Sequence, residues 1–425
     1  MIIHVVTAGE SLYTIAQRYG ISEARLIADN GLGDNTALTP GQTLVILFPN
    51  RTYTVQAGDT LTSIAESFGV TTNQLLRNNP ELMGLATVTP GQTLVIDYNQ
   101  EKRGELSVNG YAYPFIDRAV LRQTLPYLTY LTIFTYGFDE NGELVVPEGD
   151  EEVVRIAQEY GVSPILLIST LSPEGVFSNQ LAHTLLNDIE MQNHLIDQLL
   201  AVMQEKGYVG LDVDFEYVLP EDRDAYVEFI RLATTRMNEA GYTVITALAP
   251  KTSADQPGLL YEAHNYRALG EASNAVLLMT YEWGYTYGPP MAVAPINKVR
   301  QVLDFAVTQI APEKIFMGIP NYGYDWTLPF VQGESRAKSL SNVGAVELAQ
   351  QVGAEIRFDE TAQAPFFNYY DDERRQHVVW FEDARSIDAK LALPIEYGLQ
   401  GVSYWNVMRW FPQNWAVLNA LYNIR

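Results

Sequence analysis

Near the middle of the chain the sequence reads Tyr208-Val209-Gly210-Leu211-Asp212-Val213-Asp214-Phe215-Glu216-Tyr217. Successive side chains of a β-strand point to opposite faces, so Asp212, Asp214 and Glu216 share one face and apolar residues share the other. Alternate residues are about 6.6 Å apart, which puts Glu216 nearest the carboxyl end. Because neighbouring carboxylates repel, we expect the pKa of at least one to rise. A carboxyl of raised pKa beside an ionised one is what general-acid chemistry at neutral pH requires.

Two other interpretations of this acidic segment remain open from its residues alone. An exposed edge strand can carry three solvated acids that have no function. The segment contains a glycine and lies between two helical segments, which is typical of a buried parallel strand, where acids are costly. Clustered carboxylates also suit magnesium or calcium, and no histidine lies nearby to decide the question.

The segment resembles the signature of glycoside hydrolase family 18, the chitinase-like family, which is written D-G-x-D-x-D-x-E. Val209 stands where the signature has its first aspartate. The resemblance implies that Glu216 is the general acid/base, that Asp214 is its partner, and that Asp212 stands behind them. It also implies no metal and no organic cofactor, because the family uses the substrate's own acetamido oxygen in place of a protein nucleophile.

The composition excludes several classes of partner. The chain has 425 residues, which is enough for a barrel-sized core plus appendages, and a formal net charge of −24, which argues against nucleic acid. Cysteine is absent, so there is no disulfide framework and no thiol nucleophile. Neither a signal peptide nor a run of about 18 apolar residues is visible, so we expect no membrane span. We expect a monomer.

The first hundred residues contain a repeat. The segment His4 to Leu12 is echoed by Tyr53 to Leu61, a displacement of 49 residues. The segment Thr39 to Ile46 is echoed by Thr89 to Ile96. Each unit is predicted to form a strand, two helices and a returning strand, and a serine or threonine begins the first helix of each.

These units resemble LysM modules, which bind glycans that contain N-acetylglucosamine, such as peptidoglycan and chitin. The resemblance places a sugar groove between the loop after the first strand and the loop before the last. The glycines and prolines of these loops also serve turns, so binding depends on the resemblance. The implied glycan contacts are Gly9, Glu10, Ser11, Leu12 and Asn30 in the first module and Gly58, Asp59, Thr60, Leu61 and Asn79 in the second.

The remainder of the chain is predicted to be an α/β fold, a TIM (β/α)8 barrel. The modules occupy residues 1–48 and 49–97, a polar linker occupies 98–104, and the barrel occupies 105–425. A small α+β insertion, at about residues 340–390, is expected between strands seven and eight, with a β-hairpin formed by Ala364–Tyr370 and residues 377–381. The expected barrel strands are 105–111, 130–136, 164–169, 208–216, 243–249, 275–281, 314–320 and 401–406.

Active sites of such barrels lie at the carboxyl ends of the strands. After strand six, the family has the pattern Met-x-Tyr-Asp, and this chain resembles it with Met279-Thr280-Tyr281-Glu282. The resemblance implies that the tyrosine donates a hydrogen bond to the N-acetyl group of the substrate. Glutamate replaces the aspartate of the pattern. Trp405 matches the tryptophan beneath the sugar being cleaved. Core packing is the alternative role for both aromatic residues. The residues expected to bind substrate are Asn109, Tyr111, Tyr136, Glu282, Trp283, Tyr322, Trp405 and Asn406.

The combination of two LysM-like units with this barrel resembles the spore cortex-lytic N-acetylglucosaminidases of endospore-forming bacteria. It implies a partner, peptidoglycan or another N-acetylglucosamine glycan, and a location at the boundary of spore cortex and coat, after synthesis in the mother cell without a signal peptide. Two alternatives remain: a hydrolase of chitin or its oligomers, and a non-catalytic glycan-binding spore coat protein. The intact Glu216 favours an enzyme over the latter.

Overall fold

The computed structural model describes residues 1–33, 36–171 and 176–425. Its N-terminal part has two modules of the same build, each with two helices and an antiparallel pair of strands, as expected. Ser11 and Thr60 each cap a first helix, because their side chains accept a backbone N–H from its first turn. The elements are β1 (Ile2–Val5), α1 (Leu12–Tyr19), α2 (Glu23–Asn30), β2 (Thr43–Ile46), β3 (Pro49–Thr54), α3 (Leu61–Phe68), α4 (Thr72–Asn78) and β4 (Thr93–Tyr98).

From Gly104 onward, strands alternate with helices, and one insertion interrupts the alternation. In chain order the elements are β5 (Gly104–Ala112), α5 (Arg118–Thr124), β6 (Tyr130–Phe138), β7 (Leu144–Val145), α6 (Asp150–Glu159), β8 (Ser163–Ser169), α7 (Asn179–Leu186), α8 (Ile189–Lys206), β9 (Gly210–Asp214), α9 (Arg223–Glu239), β10 (Thr243–Leu248), α10 (Tyr266–Ala272), β11 (Ala275–Leu278), α11 (Ile296–Ala306), β12 (Ile315–Pro320), β13 (Gly323–Thr327), β14 (Lys338–Leu340), α12 (Asn342–Gln351), β15 (Arg357–Asp359), β16 (Ala364–Tyr370), β17 (Gln376–Trp380), α13 (Ala384–Tyr397), β18 (Gly401–Trp405), α14 (Pro412–Leu421) and β19 (Tyr422–Ile424).

Eight of these strands form a closed parallel barrel in the order β5-β6-β8-β9-β10-β11-β12-β18, and β18 pairs again with β5. The predicted TIM barrel is therefore confirmed. Between β12 and β18, strands β13 to β17 form an antiparallel five-stranded sheet beside α12. Within it, β16 and β17 pair as the expected hairpin. None of the helices in the described ranges is long and apolar enough to cross a membrane.

The acid-bearing strand is shorter than the sequence predicts. It ends at Asp214, so Glu216 lies in the turn that follows rather than in the strand. The chain leaves the sheet here because the Phe215 ring stacks on Tyr226 of α9, with 5.8 Å between ring centroids, and Tyr217 adopts a left-handed backbone with φ of 57°. Glu216 is thereby placed at the mouth of the barrel.

Both N-terminal modules pack directly on the barrel unit. In the first module, Thr43 Oγ1 donates to Gln413 Oε1 at 2.9 Å, and in the second, Asn78 Oδ1 accepts from Asn419 Nδ2 at 2.9 Å. Gly41 approaches the insertion so closely that a Cβ atom would lie 1.8 Å from a carbonyl oxygen of the insertion. Because these contacts are buried, the modules are part of one packed body.

Candidate active site

Strand β9 carries two acids into the barrel. All five of its residues are buried, and Leu211 and Val213 pack in the apolar layer between the barrel and its helices. The alternation of a strand therefore points Asp212 and Asp214 into the barrel interior. Gly210 permits close packing at the start, because a Cβ atom there would lie 2.8 Å from a neighbouring isoleucine methyl.

A buried histidine fixes the turn that carries Glu216. His264 Nδ1 accepts from the Ala249 N–H at 2.8 Å, so the proton of the ring is assigned to Nε2, which donates to the Phe215 carbonyl at 3.1 Å. Burial lowers the pKa of His264 to about 4, so the ring is neutral at neutral pH. Nothing near this histidine in the sequence points to the acidic strand, and sequence analysis missed it.

Burial dominates the electrostatics of the three acids. It raises the pKa of Asp212 to about 8, against the opposing effect of a hydrogen bond of 2.5 Å from the Tyr111 hydroxyl. It also raises the pKa of Asp214 and, with added repulsion from Asp214 and Glu282, holds the pKa of Glu216 well above its ordinary value. The expected rise is present, but desolvation rather than mutual repulsion is its main cause.

The site offers an acceptor and a donor that lack partners. Among the described residues, Oδ1 of Asp214 is buried without a hydrogen bond, as is Oδ1 of Asp212 behind it. The Tyr281 side chain is also buried, and no hydrogen bond of its hydroxyl to a described residue is found. Burial and the nearby acids hold the pKa of Tyr281 well above its ordinary value, so it remains a donor. Gly318 makes room for the tyrosine ring, because a Cβ atom there would lie 2.7 Å from it. An amide, with one N–H and one carbonyl, matches this pair.

Aromatic rings form the base of the opening. The half-buried Trp405 ring packs edge-to-face on Tyr111 and Phe134, with centroids 5.5 and 5.1 Å apart. Beside it lies a pocket of about 360 Å³. The residues around this pocket include Glu282, Tyr322, Tyr324, Trp405, Asn406 and Arg409.

The carboxylate of Glu282 accepts hydrogen bonds from two tyrosine hydroxyls. Tyr322 donates to Oε1, and Tyr324 donates to the same atom at 3.0 Å. This glutamate, which replaces the expected aspartate, therefore reaches across the pocket to the insertion strand β13. Asn406 also lines the pocket, but its Oδ1 accepts from the Met408 N–H at 3.3 Å and so stabilises its own loop.

Three residues expected to bind substrate lie elsewhere. Tyr136 is fully buried outside the barrel, where its hydroxyl donates to Asp150, because β6 turns this side chain toward α6 rather than the cleft. Asn109 is buried in the barrel, where both ends of its amide are bonded to the neighbouring strands. Trp283 is partly buried against the main apolar core and is not among the residues that line the pocket. None of these three side chains lines the pocket beside Trp405, so their contact with substrate stays a prediction.

The module residues expected to bind glycan have structural roles. Asn30 and Asn79 are buried, and each amide bonds to its own helix and to the backbone of the returning strand. Leu12 and Leu61 belong to the module cores. These four side chains are not available to a sugar. The remaining candidates surround the helix starts: Gly9, Glu10, Ser11, Gly58, Asp59 and Thr60.

Four further residues border the site without being predicted from the sequence as substrate contacts. Tyr113 stacks on Phe115 with 5.1 Å between centroids, and the Phe115 ring is 75 % exposed at the mouth. Tyr324 and Arg409 line the same pocket. Each follows a barrel strand by one to four residues, so inspection of the loops beyond the strand ends would have found them. Among the described residues, no group of three or more histidine, cysteine or acidic side chains is placed to hold a metal ion.

Comparison with known proteins identifies the class as a glycoside hydrolase with glycan-binding modules. The family model for glycosyl hydrolases family 18 matches residues 100–409, and the LysM domain model matches 4–47 and 53–97. The chain is 39 % identical to the cortical fragment-lytic enzyme of Bacillus anthracis over 98 % of this chain and 97 % of that protein. The crystal structure of the Bacillus cereus spore cortex-lytic enzyme SleL superposes with a TM-score of 0.85 at 39 % identity, covering 100 % and 98 % of the two chains.

A second solved structure, the Bacillus megaterium QM B1551 spore cortex-lytic enzyme SleL, is 38 % identical, has a TM-score of 0.84 and covers 100 % of this chain and 98 % of its own. This chain belongs to glycoside hydrolase family 18 and carries two LysM domains. It is a glycoside hydrolase, and its modules make it a protein that binds a glycan such as peptidoglycan.

Proposed function

We propose that this enzyme hydrolyses N-acetylglucosamine linkages in fragments of spore cortex peptidoglycan, with net retention and assistance from the substrate. The observation that carries the proposal is the grouping of Glu216, Asp214 and Tyr281. An acid of raised pKa lies beside a carboxylate and a tyrosine hydroxyl that have no partner of their own. The cortex as substrate is supported by the names of the relatives, which cover nearly the whole chain.

In the first step, the sugar to be cleaved lies over Trp405 with its acetamido group between Asp214 and Tyr281. The unpaired oxygen of Asp214 accepts the acetamido N–H, and the tyrosine hydroxyl donates to its carbonyl. The carbonyl oxygen attacks C1 as the glycosidic bond breaks, and Glu216 gives its proton to the departing oxygen. Burial raises the pKa of Asp214 to about 7, so its ionised form is accessible at neutral pH, and that negative charge stabilises the positive oxazolinium ring that results.

In the second step, water attacks C1 from the face that the leaving group vacated. The carboxylate of Glu216 takes the proton from water, and the oxazolinium ring opens to restore the acetamido group. The product keeps the original anomeric configuration, and Glu216 is protonated again for the next cycle. The steps require no metal ion and no organic cofactor.

The LysM modules extend the glycan-binding surface next to the barrel. Their exposed loops around Gly9 and Gly58 are the candidate contacts with peptidoglycan. Two modules on one body raise the effective concentration of a polymer that both can reach, without a flexible tether. With the spore names of the relatives, this supports an enzyme at the boundary of cortex and coat.

The test is hydrolysis of purified cortex fragments, followed by ¹H NMR of the first-formed anomer. The wild type is expected to release a product of retained configuration, and Glu216→Gln to lose about a hundred- to ten-thousand-fold in turnover while still binding. Inversion, or a covalent glycosyl ester on Asp214, would refute the mechanism. Turnover of chitin oligomers alone would favour a chitinase, and binding without any turnover would favour a coat protein.

A further inference from the structure

The pocket beside Trp405 contains a cation that the acid/base mechanism does not use. Glu282 lines this pocket, and both Glu282 and Asp214 lie close enough to Glu216 to raise its pKa. The chain as a whole has a net charge of −24. Arg409 lines this pocket and is exposed to solvent. Because the carboxylate of Glu282 lines the same pocket, the contacts of the Arg409 guanidinium decide its role.

Arg409 has no ion pair with any carboxylate in the part of the chain that the structure describes. Within the described ranges, its guanidinium donates from Nη1 to the Ser339 Oγ at 3.4 Å. The nearby carboxylate of Glu282 is already taken by the hydroxyls of Tyr322 and Tyr324. The guanidinium of Arg409 is therefore available to bind a ligand.

Hydrogen bonds hold the backbone of Arg409 in place, whereas its side chain is exposed to solvent. Asn321 Nδ2 donates to the carbonyl oxygens of Asn406 and Arg409 at 2.9 and 2.8 Å. Val407, between them, donates its N–H to the Tyr111 carbonyl at 2.8 Å. The loop that follows the last barrel strand thus presents the arginine at a fixed point beside the floor of the site.

We infer that Arg409 is a specificity-determining residue that binds a carboxylate carried by the glycan. This inference rests on the proposed function and adds to it the chemical group that distinguishes the substrate. A guanidinium offers parallel N–H donors that match a carboxylate bidentately, and it does not titrate at physiological pH. In peptidoglycan, muramic acid carries a lactyl carboxyl, free or joined to a peptide with carboxylates of its own. Chitin carries only neutral hydroxyl and acetamido groups.

The experiment compares Arg409→Gln with the wild type on three substrates of equal length. One is a glycan fragment with free carboxylates, one is the same fragment with its carboxylates converted to methylamides, and one is an N-acetylglucosamine oligomer. The variant is expected to lose about tenfold in kcat/KM on the first and less than twofold on the other two. Fragments with and without the peptide distinguish the lactyl from the peptide carboxylate. Added salt is expected to weaken the wild-type preference.

Arg267→Gln is the matched control, because it removes an exposed arginine of α10, on the outside of the barrel. It is expected to act like the wild type on all three substrates. An equal loss for Arg409→Gln on all three, or no loss on any, overturns the inference and leaves the proposed function standing. If the wild type does not cleave peptidoglycan fragments but does cleave the neutral oligomer, the proposed function fails, and the inference fails with it.

Discussion

Replacing His264 with leucine is expected to remove a pH dependence of folding stability. Burial lowers the pKa of His264 to about 4 in the folded chain, whereas an unperturbed histidine has a pKa of about 6.5. The unfolded chain therefore binds more protons between these values. The stability that the neutral ring contributes is complete above about pH 6.5 and is lost as the pH falls toward 4. An interval of about 2.5 pH units at about 1.4 kcal/mol each corresponds to about 3 kcal/mol in the free energy of unfolding.

The assay is urea unfolding of the wild type and His264→Leu at several pH values between 7 and 4. At pH 7 the variant is expected to be less stable by about 2–6 kcal/mol, because the Ala249 N–H and the Phe215 carbonyl are left buried without partners. As the pH falls, the two free energies are expected to converge by about 3 kcal/mol, while effects of other titrating groups cancel in the difference. Curves that stay parallel would refute the reasoning. His264→Gln, which keeps a donor and an acceptor, is the control for the lost hydrogen bonds.

Three further substitutions test other parts of the structure. Gly318→Ala places a Cβ atom 2.6 Å from the Leu278 carbonyl oxygen and 2.7 Å from the Tyr281 ring, so kcat/KM is expected to fall about tenfold with about 1–3 kcal/mol lost in stability. Unchanged turnover would contradict this placement of Tyr281. Asn79→Ala removes the hydrogen bonds between helix and strand in the second module, so the free energy of unfolding in urea is expected to fall by about 2–4 kcal/mol. A loss of glycan binding with unchanged stability would instead make Asn79 a ligand contact. Tyr136→Phe is expected to leave kcat/KM within about twofold, and a much larger loss would return Tyr136 to the cleft.

The barrel and its acids were predictable because their signals are periodic or local. A strand has a period of two, so the sequence alone places Asp212 and Asp214 on one face and apolar residues on the other. A closed parallel sheet then requires the strand ends to meet, which brings Tyr281 and Trp405 near those acids. The alternating pattern does not show where a strand ends. Glu216 continues the alternating pattern although the backbone has already turned.

Residues whose partners come from distant segments could not be assigned in this way. Tyr136 has the residue type and position of a strand-end ligand, yet it points outward. Its hydroxyl donates to Asp150, which also accepts from Tyr208, and the Tyr208 ring packs edge-to-face on the Tyr136 ring. Asn79 matches Asn30 in the repeat, which is compatible with either binding or folding. Its burial shows that the shared feature is a bond from helix to strand. A residue that recurs in both repeats has a shared role, but the repeat does not indicate whether that role is in folding or in binding.

The packing of the modules changes how anchoring must be tested. The short polar linker suggests modules that can be cut away near Gly104, but Thr43 and Asn78 are bonded to Gln413 and Asn419 of α14. Truncation would expose the partners on α14 and the apolar surface around them, so a loss of turnover would report damage to the barrel as readily as loss of binding. Substitutions confined to the exposed module loops leave these contacts intact. If the modules only anchor, such variants lose binding to insoluble peptidoglycan and keep turnover of soluble fragments.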